Sequence, residues 1–410
     1  MKTKPLGPIP AGYDAIEGEL AIGGRSVSDL VAEAGRTPLF VYSRSHFDAR
    51  VAQLRSALPR RIGVNYAVKA NPHPQVIAHM GSLVDGFDIA SSGELAMLTA
   101  AGIDPSRISF AGPGKRDDEL QAAIEAGLTL NCESEGEAAR ALAISQRVGK
   151  RARMAIRVNP DFELKGSGMK MGGGAKPFGL DAERVPDLAR NLLAEGAEWR
   201  GLHIFTGSQA LSAEAIIETQ GNVLNLAEKL SDSIGEPLPK LNMGGGFGIP
   251  YFPGDETLDL AEIGTALHEY VAALPEALAK TELCLELGRY LVGEAGVYLC
   301  RVIDRKVSHG TTYLVTDGGL HHQLAASGNF GTVVRRNYPV TIASRYTAVP
   351  DDLVNVVGCL CTPLDRLADQ ASLPRAQVGD IVAVFCAGAY GATASPASFL
   401  GHGPASEMLV

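Results

Sequence analysis

The stretch GVNYAVKANPHPQV, residues 63–76, decides how the rest of the chain is read. Its apolar and β-branched positions spell a buried strand. Lys69 then appears where the strand runs out, and Asn71 and Pro72 stop it. A long cationic side chain at the end of a core strand either caps the strand in water or reaches a ligand.

Seven further runs with the same design follow. They are LVDGFDIA (83–90), RISFAGP (107–113), LTLNCES (128–134), ARMAIRVNP (152–160), GLHIFTGS (201–208), KLNMGGG (240–246) and ELCLELG (282–288). Between them lie Ala/Leu/Glu-rich segments such as SGELAMLTAAG, DELQAAIEAG and SEGEAARALAISQRVG, with apolar residues at helical spacing. Strand–helix alternation implies parallel strands with crossover helices. Eight repeats in roughly 240 residues fit a closed (β/α)8 TIM barrel of the α/β class, expected over residues 44–295.

The texture changes near residue 296. GVYLCRVIDRKVSHGTTYLVTDGG, NVVGCLCTPLDRLA and VGDIVAVFCAGAYG are β-branched runs broken by turns. GELAIGGRSV and TPLFVYS near the N-terminus read the same way. An antiparallel β domain, barrel- or sandwich-like, is therefore expected from residues 1–43 and 296–410, with the barrel inserted between its parts.

Composition excludes several classes of function. The chain has 410 residues, 46% hydrophobic and 20% charged, with a net charge of −9 and no Lys/Arg block. Nucleic acid and anionic membrane surfaces are not expected partners. No apolar run reaches spanning length and the N-terminus lacks an apolar signal core, so a cytoplasmic location is expected. Cys132, Cys284, Cys300, Cys359, Cys361 and Cys386 are scattered without zinc-motif spacing, and no H-E-x-x-H occurs. No metal site is expected, and most of these cysteines read as buried small hydrophobes.

The barrel assignment changes the meaning of Lys69. Active sites of such barrels lie at the C-terminal ends of the strands. Those ends supply Lys69, Asp88, Arg157, Asn159, His203, Ser208, the glycines of GGGFG (244–248), Glu286 and Arg289. Gly244, Gly245 and Gly246 follow strand seven, where backbone N–H groups can approach a phosphate. A lysine on strand one together with a phosphate cradle points to pyridoxal 5'-phosphate held as a Schiff base. Glu286, ending strand eight, suits a carboxylate that keeps the pyridine nitrogen protonated; an ordinary ion pair with Arg289 is the bland alternative.

YAVKAN, GFDIASSGEL, FAGPGK, GSQ, GGGFGIPY, LELGRYLVGEAG, CTPLD and GAYG occur in that order along nearly the whole chain. In these motifs it resembles the fold-type III pyridoxal-phosphate decarboxylases, the ornithine/diaminopimelate/arginine decarboxylase family. Within that family it looks most like the branch associated with exosortase and exopolysaccharide gene clusters. It is also similar to the butirosin-pathway decarboxylase that acts on a glutamyl group held by a carrier protein. The resemblance implies an amino-acid α-decarboxylase in which Lys69, Glu286 and Cys361 are catalytic. It implies that Ser208, Gly244, Gly245, Gly246 and Tyr390 hold the phosphate with Arg289 nearby, and that Asp88 supports the lysine region. Cys361 would protonate Cα in the site of the partner subunit, and Asp365 would enter the same site, so a homodimer with shared sites is expected.

Departures from the family bear on the substrate. Two residues past His203, where diaminopimelate decarboxylases place a histidine against the cofactor ring, stands Phe205, which can stack but not hydrogen-bond. The family's Cys-Glu-Ser is Cys361-Thr362-Pro363 here, which removes the glutamate that reads a distal ammonium. The carboxylate-binding arginine after TDGG is also missing; LHHQLAASGNFG stands in its place. His321, His322, Arg335 or Arg336 take part of that role, or the His pair is a hydrogen-bonded turn. The loop KGSGMKMGGGAKPFGLD (165–181) is either a lid over the barrel mouth or a plain mobile loop. The substrate-binding set is then Arg289, His321, His322, Thr362, Asp365 and Tyr390, for a free amino acid or a carrier-linked aminoacyl group. Alternatives are diaminopimelate decarboxylase proper, an amino-acid racemase of the same architecture, which would place an arginine at the Glu286 position, and a non-catalytic pyridoxal-phosphate carrier, which would end with the barrel.

Overall fold

The structure is a computed structural model that describes residues 3–328 and 335–410. The chain divides into two compact units. One comprises residues 50–248 and 258–288; the other comprises 1–49, 249–257 and 289–410.

The first unit is a closed barrel of eight parallel strands, as the alternating pattern predicts. They are Ile62–Ala67 (β1), Gly86–Ile89 (β2), Ile108–Phe110 (β3), Thr129–Cys132 (β4), Arg153–Asn159 (β5), Glu198–Ile204 (β6), Lys240–Gly245 (β7) and Glu282–Leu287 (β8). Each pairs with the next, and β8 closes on β1 through Glu286 opposite Asn65. Val64, Tyr66, Phe87, Phe110, Leu130, Ile156 and Leu285 are fully buried along these strands. The crossover helices begin at side-chain caps: Ser91 accepts from the Glu94 N–H and Ser134 from the Glu137 N–H. β6 starts three residues earlier than the apolar run suggests, because Glu198 and Trp199 pair with Arg153 and Met154 before a bulge at Arg200, and Gly201 resumes the ladder opposite Ala155. Gly201 has φ +94° there, and a Cβ on it would lie 1.9 Å from the Lys240 carbonyl oxygen.

The second unit is mostly β. Gly296–Ser308 (β9) is its hub. It pairs antiparallel with Thr311–Thr316 (β10), with Ile381–Val384 and with the N-terminal strand Leu39–Tyr42. The purely antiparallel expectation needs amending at two pairings: β10 runs parallel to Asp352–Val357, and Leu39–Tyr42 runs parallel to Ser406–Leu409. Both join segments distant in sequence, so no hairpin forces an antiparallel return. Leu20, Ile22, Leu30, Leu39, Val297, Leu299 and Phe385 form one buried apolar cluster. Among the described residues no helix is long and apolar enough to cross a membrane.

Candidate active site

Lys69 sits just past β1, in the short 3₁₀ turn Val68–Ala70 rather than in the strand itself. That turn exposes about half of its side chain at the strand's C-terminal end, with Nζ 3.6 Å from Glu286 Oε1. Strand register explains the meeting. Glu286 is opposite Asn65 on one side and Gly245 on the other, so its side chain shares a level with the end of β1. His203 lies opposite both Arg157 and Asn242. Its Nε2 is 3.0 Å from Glu286 Oε2, in place to donate to the carboxylate. Asp88 accepts from the Ser109 hydroxyl at 2.6 Å, and Ser109 accepts from Asn131 at 2.8 Å.

The two carboxyls respond oppositely to this setting. Burial pushes Glu286 up, but Lys69, the His203 hydrogen bond and Arg157 outweigh it and hold the group well below the usual carboxylate range. Burial also pushes Asp88 up, the Glu286 charge adds to that, and Ser109 and His203 do not offset them; its carboxyl rises to about 6. Adjacent carboxylates in low dielectric do not ionise equally. Asp88 Oδ2, His203 Nδ1 and Asn242 Nδ2 are buried without hydrogen-bond partners among the described residues.

The glycine run is packed against the barrel's own backbone. A Cβ on Gly244 would lie 2.6 Å from the Ile204 carbonyl oxygen, on Gly245 2.2 Å from that of Glu286, and on Gly246 2.5 Å from that of Gly207. Gly244 and Gly246 also have φ of +66° and +82°. Phe205 is half-buried, its ring centroid 5.8 Å from Lys69 Nζ. Ser208 pairs with Met169, so the Gly-rich loop of 165–181 is tied to the exit of β6. Its far end is tied as well: the Gly179 N–H donates to Glu133 Oε2 at 2.7 Å. Glu133 also accepts from Arg157 and from the Gly112 N–H. Glu133 lies in the run LTLNCES and Lys115 in FAGPGK, where no sequence motif marks either as part of a site. Lys115 is fully enclosed and donates to Glu137 and to the carbonyls of Gly112 and Asn131. Neither departs from ordinary strand-end or turn composition, so only the fold distinguishes them.

In the second unit, Arg289 donates to the Tyr251 hydroxyl at 2.7 Å and lies over the Tyr390 ring at 4.8 Å. Tyr390 holds φ +56°, a strained value for a tyrosine. Cys361 is exposed at a turn whose Thr362 is half-buried. Asp365 is buried, and its two oxygens accept from the N–H groups of Leu320 and Leu360 at 2.7 and 2.9 Å. It therefore braces the Cys361 turn within its own chain. His322 is engaged on both nitrogens: Nε2 donates to the Gly403 carbonyl, and Nδ1 accepts from the Tyr298 hydroxyl. His321 is enclosed beside it, its rings' centroids 3.9 Å apart. Arg335 reaches the Leu364 carbonyl, and Arg336 lies 3.9 Å over the Phe252 ring. Asn329, Phe330 and Gly331, which complete the LHHQLAASGNFG stretch, lie outside the described residues.

Comparison with known proteins agrees with this geometry. Residues 44–293 match the pyridoxal-binding domain of the pyridoxal-dependent decarboxylases. The chain is 35% identical over 385 residues to the L-glutamyl-[BtrI acyl-carrier protein] decarboxylase of Niallia circulans, covering 91% of this chain and 88% of that one. It is 35% identical over 383 residues to the diaminopimelate decarboxylase of Aquifex aeolicus, covering 92% and 87%. The crystal structure of diaminopimelate decarboxylase from M. jannaschii in complex with L-lysine superposes with a TM-score of 0.86 at 25% identity, over 98% of this chain and 93% of that one. Strand-end chemistry, barrel and full-length similarity agree: the chain belongs to the pyridoxal-dependent decarboxylases.

Proposed function

We propose that this enzyme removes the α-carboxylate of an amino acid whose distal end is uncharged or is carried in an amide or thioester linkage. The observation that carries the reading is the Lys69–Glu286–His203 cluster, a cation and a buried anion held together at the strand ends. The residues fit pyridoxal phosphate. Asp88 Oδ2, His203 Nδ1 and Asn242 Nδ2 lack partners among the described residues, and an amine stands beside a carboxylate that stays ionised. When bound, pyridoxal phosphate supplies an electron sink for the pair left as the Cα–carboxylate bond breaks.

Lys69 would hold the cofactor covalently. Glu286 would face the pyridine nitrogen and keep a proton on it, which its low pKa and its His203 hydrogen bond favour. Ser208, the N–H groups of Gly244, Gly245 and Gly246, Arg289 and Tyr390 would hold the phosphate. Asp88, protonated over part of the working range, would relieve charge beside Glu286. Phe205 would cover the ring without hydrogen-bonding. Cys361 of the partner subunit would donate the proton at Cα after carbon dioxide leaves, making the working unit a homodimer.

Thr362 offers only a neutral hydroxyl where a distal ammonium would need a carboxylate. Reading a distal charge in a desolvated site without its counter-charge costs several kcal/mol. The similarity to a decarboxylase of a carrier-bound glutamyl group points the same way. We place the enzyme in the cytoplasm and in the exopolysaccharide-associated branch. The deciding experiment is steady-state kinetics on diaminopimelate, lysine, ornithine, arginine, glutamate and carrier-bound glutamate under one set of conditions. Turnover of diaminopimelate at ~10⁴ M⁻¹s⁻¹ or above would overturn the substrate reading.

A further inference from the structure

A cluster in the β unit joins His321, expected from the sequence near the substrate, to Cys359 and His402, which have no role in the proposed reaction. A ring nitrogen of His321, the Cys359 sulfur and a ring nitrogen of His402 all lie within 4.8 Å of one another. Cys359 Sγ and His402 Nε2 are 3.9 Å apart. His321 is 0% exposed, and among the described residues neither of its ring nitrogens has a hydrogen-bond partner. Buried polar atoms are nearly always paired, so an imidazole with both nitrogens idle asks for an explanation. Its neighbour His322 shows the ordinary arrangement, with a carbonyl on one side and a hydroxyl on the other. Cys359 is half-buried and His402 exposed, which leaves the cluster open to solvent on one side.

We propose that His321, Cys359 and His402 form a binding site for a borderline-soft divalent transition metal, zinc being the best match. One thiolate and two imidazoles are a zinc ligand set, and three protein ligands leave a fourth position for water or an incoming group. Zinc bonds of about 2.0–2.3 Å set ligand–ligand edges of about 3.3–3.6 Å in a tetrahedron. The Cys359–His402 edge is close to that. The widest separation closes with a movement of about 1 Å, which the exposed His402 side chain can make. Binding replaces the thiol proton, which leaves to solvent, with a metal–sulfur bond; no electron is exchanged. The metal would join the His321 turn to the turn that carries Cys361.

The test uses the full chain with its cofactor bound. After chelation and dialysis, zinc chloride is titrated against a chromophoric chelator, and cobalt(II) spectra are recorded at visible wavelengths clear of the cofactor. One metal per chain and cobalt bands of a four-coordinate thiolate-ligated ion are expected. Cys359→Ser and His402→Ala should each weaken zinc by ~10-fold or more, while Cys361→Ser leaves the site unchanged. His402 is exposed, so H402A is expected to fold even if C359S does not. Stoichiometric binding that neither variant alters, loss of the site in Cys361→Ser instead, or no saturable binding would each overturn the proposal.

Discussion

Lys69 and Glu286 meet across the first and last strands of the barrel, and each can be tested alone. Lys69→Ala should lose turnover ~10³-fold or more while the phosphate-binding groups remain. Borohydride reduction of the wild type followed by peptide mapping should find the cofactor on Lys69, and an adduct on another lysine would remove it from this role. Glu286→Gln keeps the shape but gives up the charge, and should lower kcat by ~10²-fold or more with cofactor still bound. Asp88 makes a different prediction, about stability. Its carboxyl holds a proton more tightly in the folded chain than at its ordinary value of 3.8, up to about 6. The folded state therefore binds more protons than the unfolded state across that window, and stability falls as pH rises through it. Asp88→Asn should flatten the slope, gaining about 1–3 kcal/mol relative to wild type above pH ~7 and little below pH ~4. Urea melts of the cofactor-free protein at the two pH limits measure it; equal slopes in both proteins would count against the buried charge.

At the scale of elements, the glycine run after β7 is a packing requirement. Gly245→Ala drives a Cβ toward the Glu286 carbonyl, which is strand backbone and cannot swing away. The variant should lose about 1–3 kcal/mol in chemical melts, and its cofactor affinity should fall because Glu286 moves with its strand. A fluorescence titration of cofactor that matches wild type would show that β8 is not held by this contact. The barrel was largely legible because each strand carries one apolar run closed by a polar or glycine residue. Lys69, Asp88, His203 and Glu286 were legible for the same reason: the position after an apolar run is a strand end, and in a barrel strand ends converge. The limits of that logic fall where geometry is made by residues distant in sequence. Glu133 joins three segments, yet reads as an ordinary turn acid. His321, Cys359 and His402 share no spacing that a motif could register, since the turns that carry them come from separate strands. The bulge at Arg200 and the charged Glu198 mask the first residues of β6 in the sequence.

For the whole molecule the shared-site reading has a direct consequence. Lys69→Ala and Cys361→Ala chains, each inactive alone, should regain activity when their subunits exchange. At most about a quarter of sites can be intact when equal amounts pair at random. No recovery despite demonstrated exchange, or full activity in a verified monomer, would remove Cys361 of the partner subunit from the reaction.

The four-residue strand Leu39–Tyr42 is buried throughout and lies between β9 and Ser406–Leu409. During synthesis it emerges early, but neither neighbour exists until the whole barrel has been translated. At ordinary elongation rates the delay is on the order of tens of seconds. For that time an apolar strand with two unpaired edges is open to wrong partners. The nascent chain thus passes through a stage in which it needs shielding by a chaperone, or by the ribosome surface, that the finished protein no longer needs.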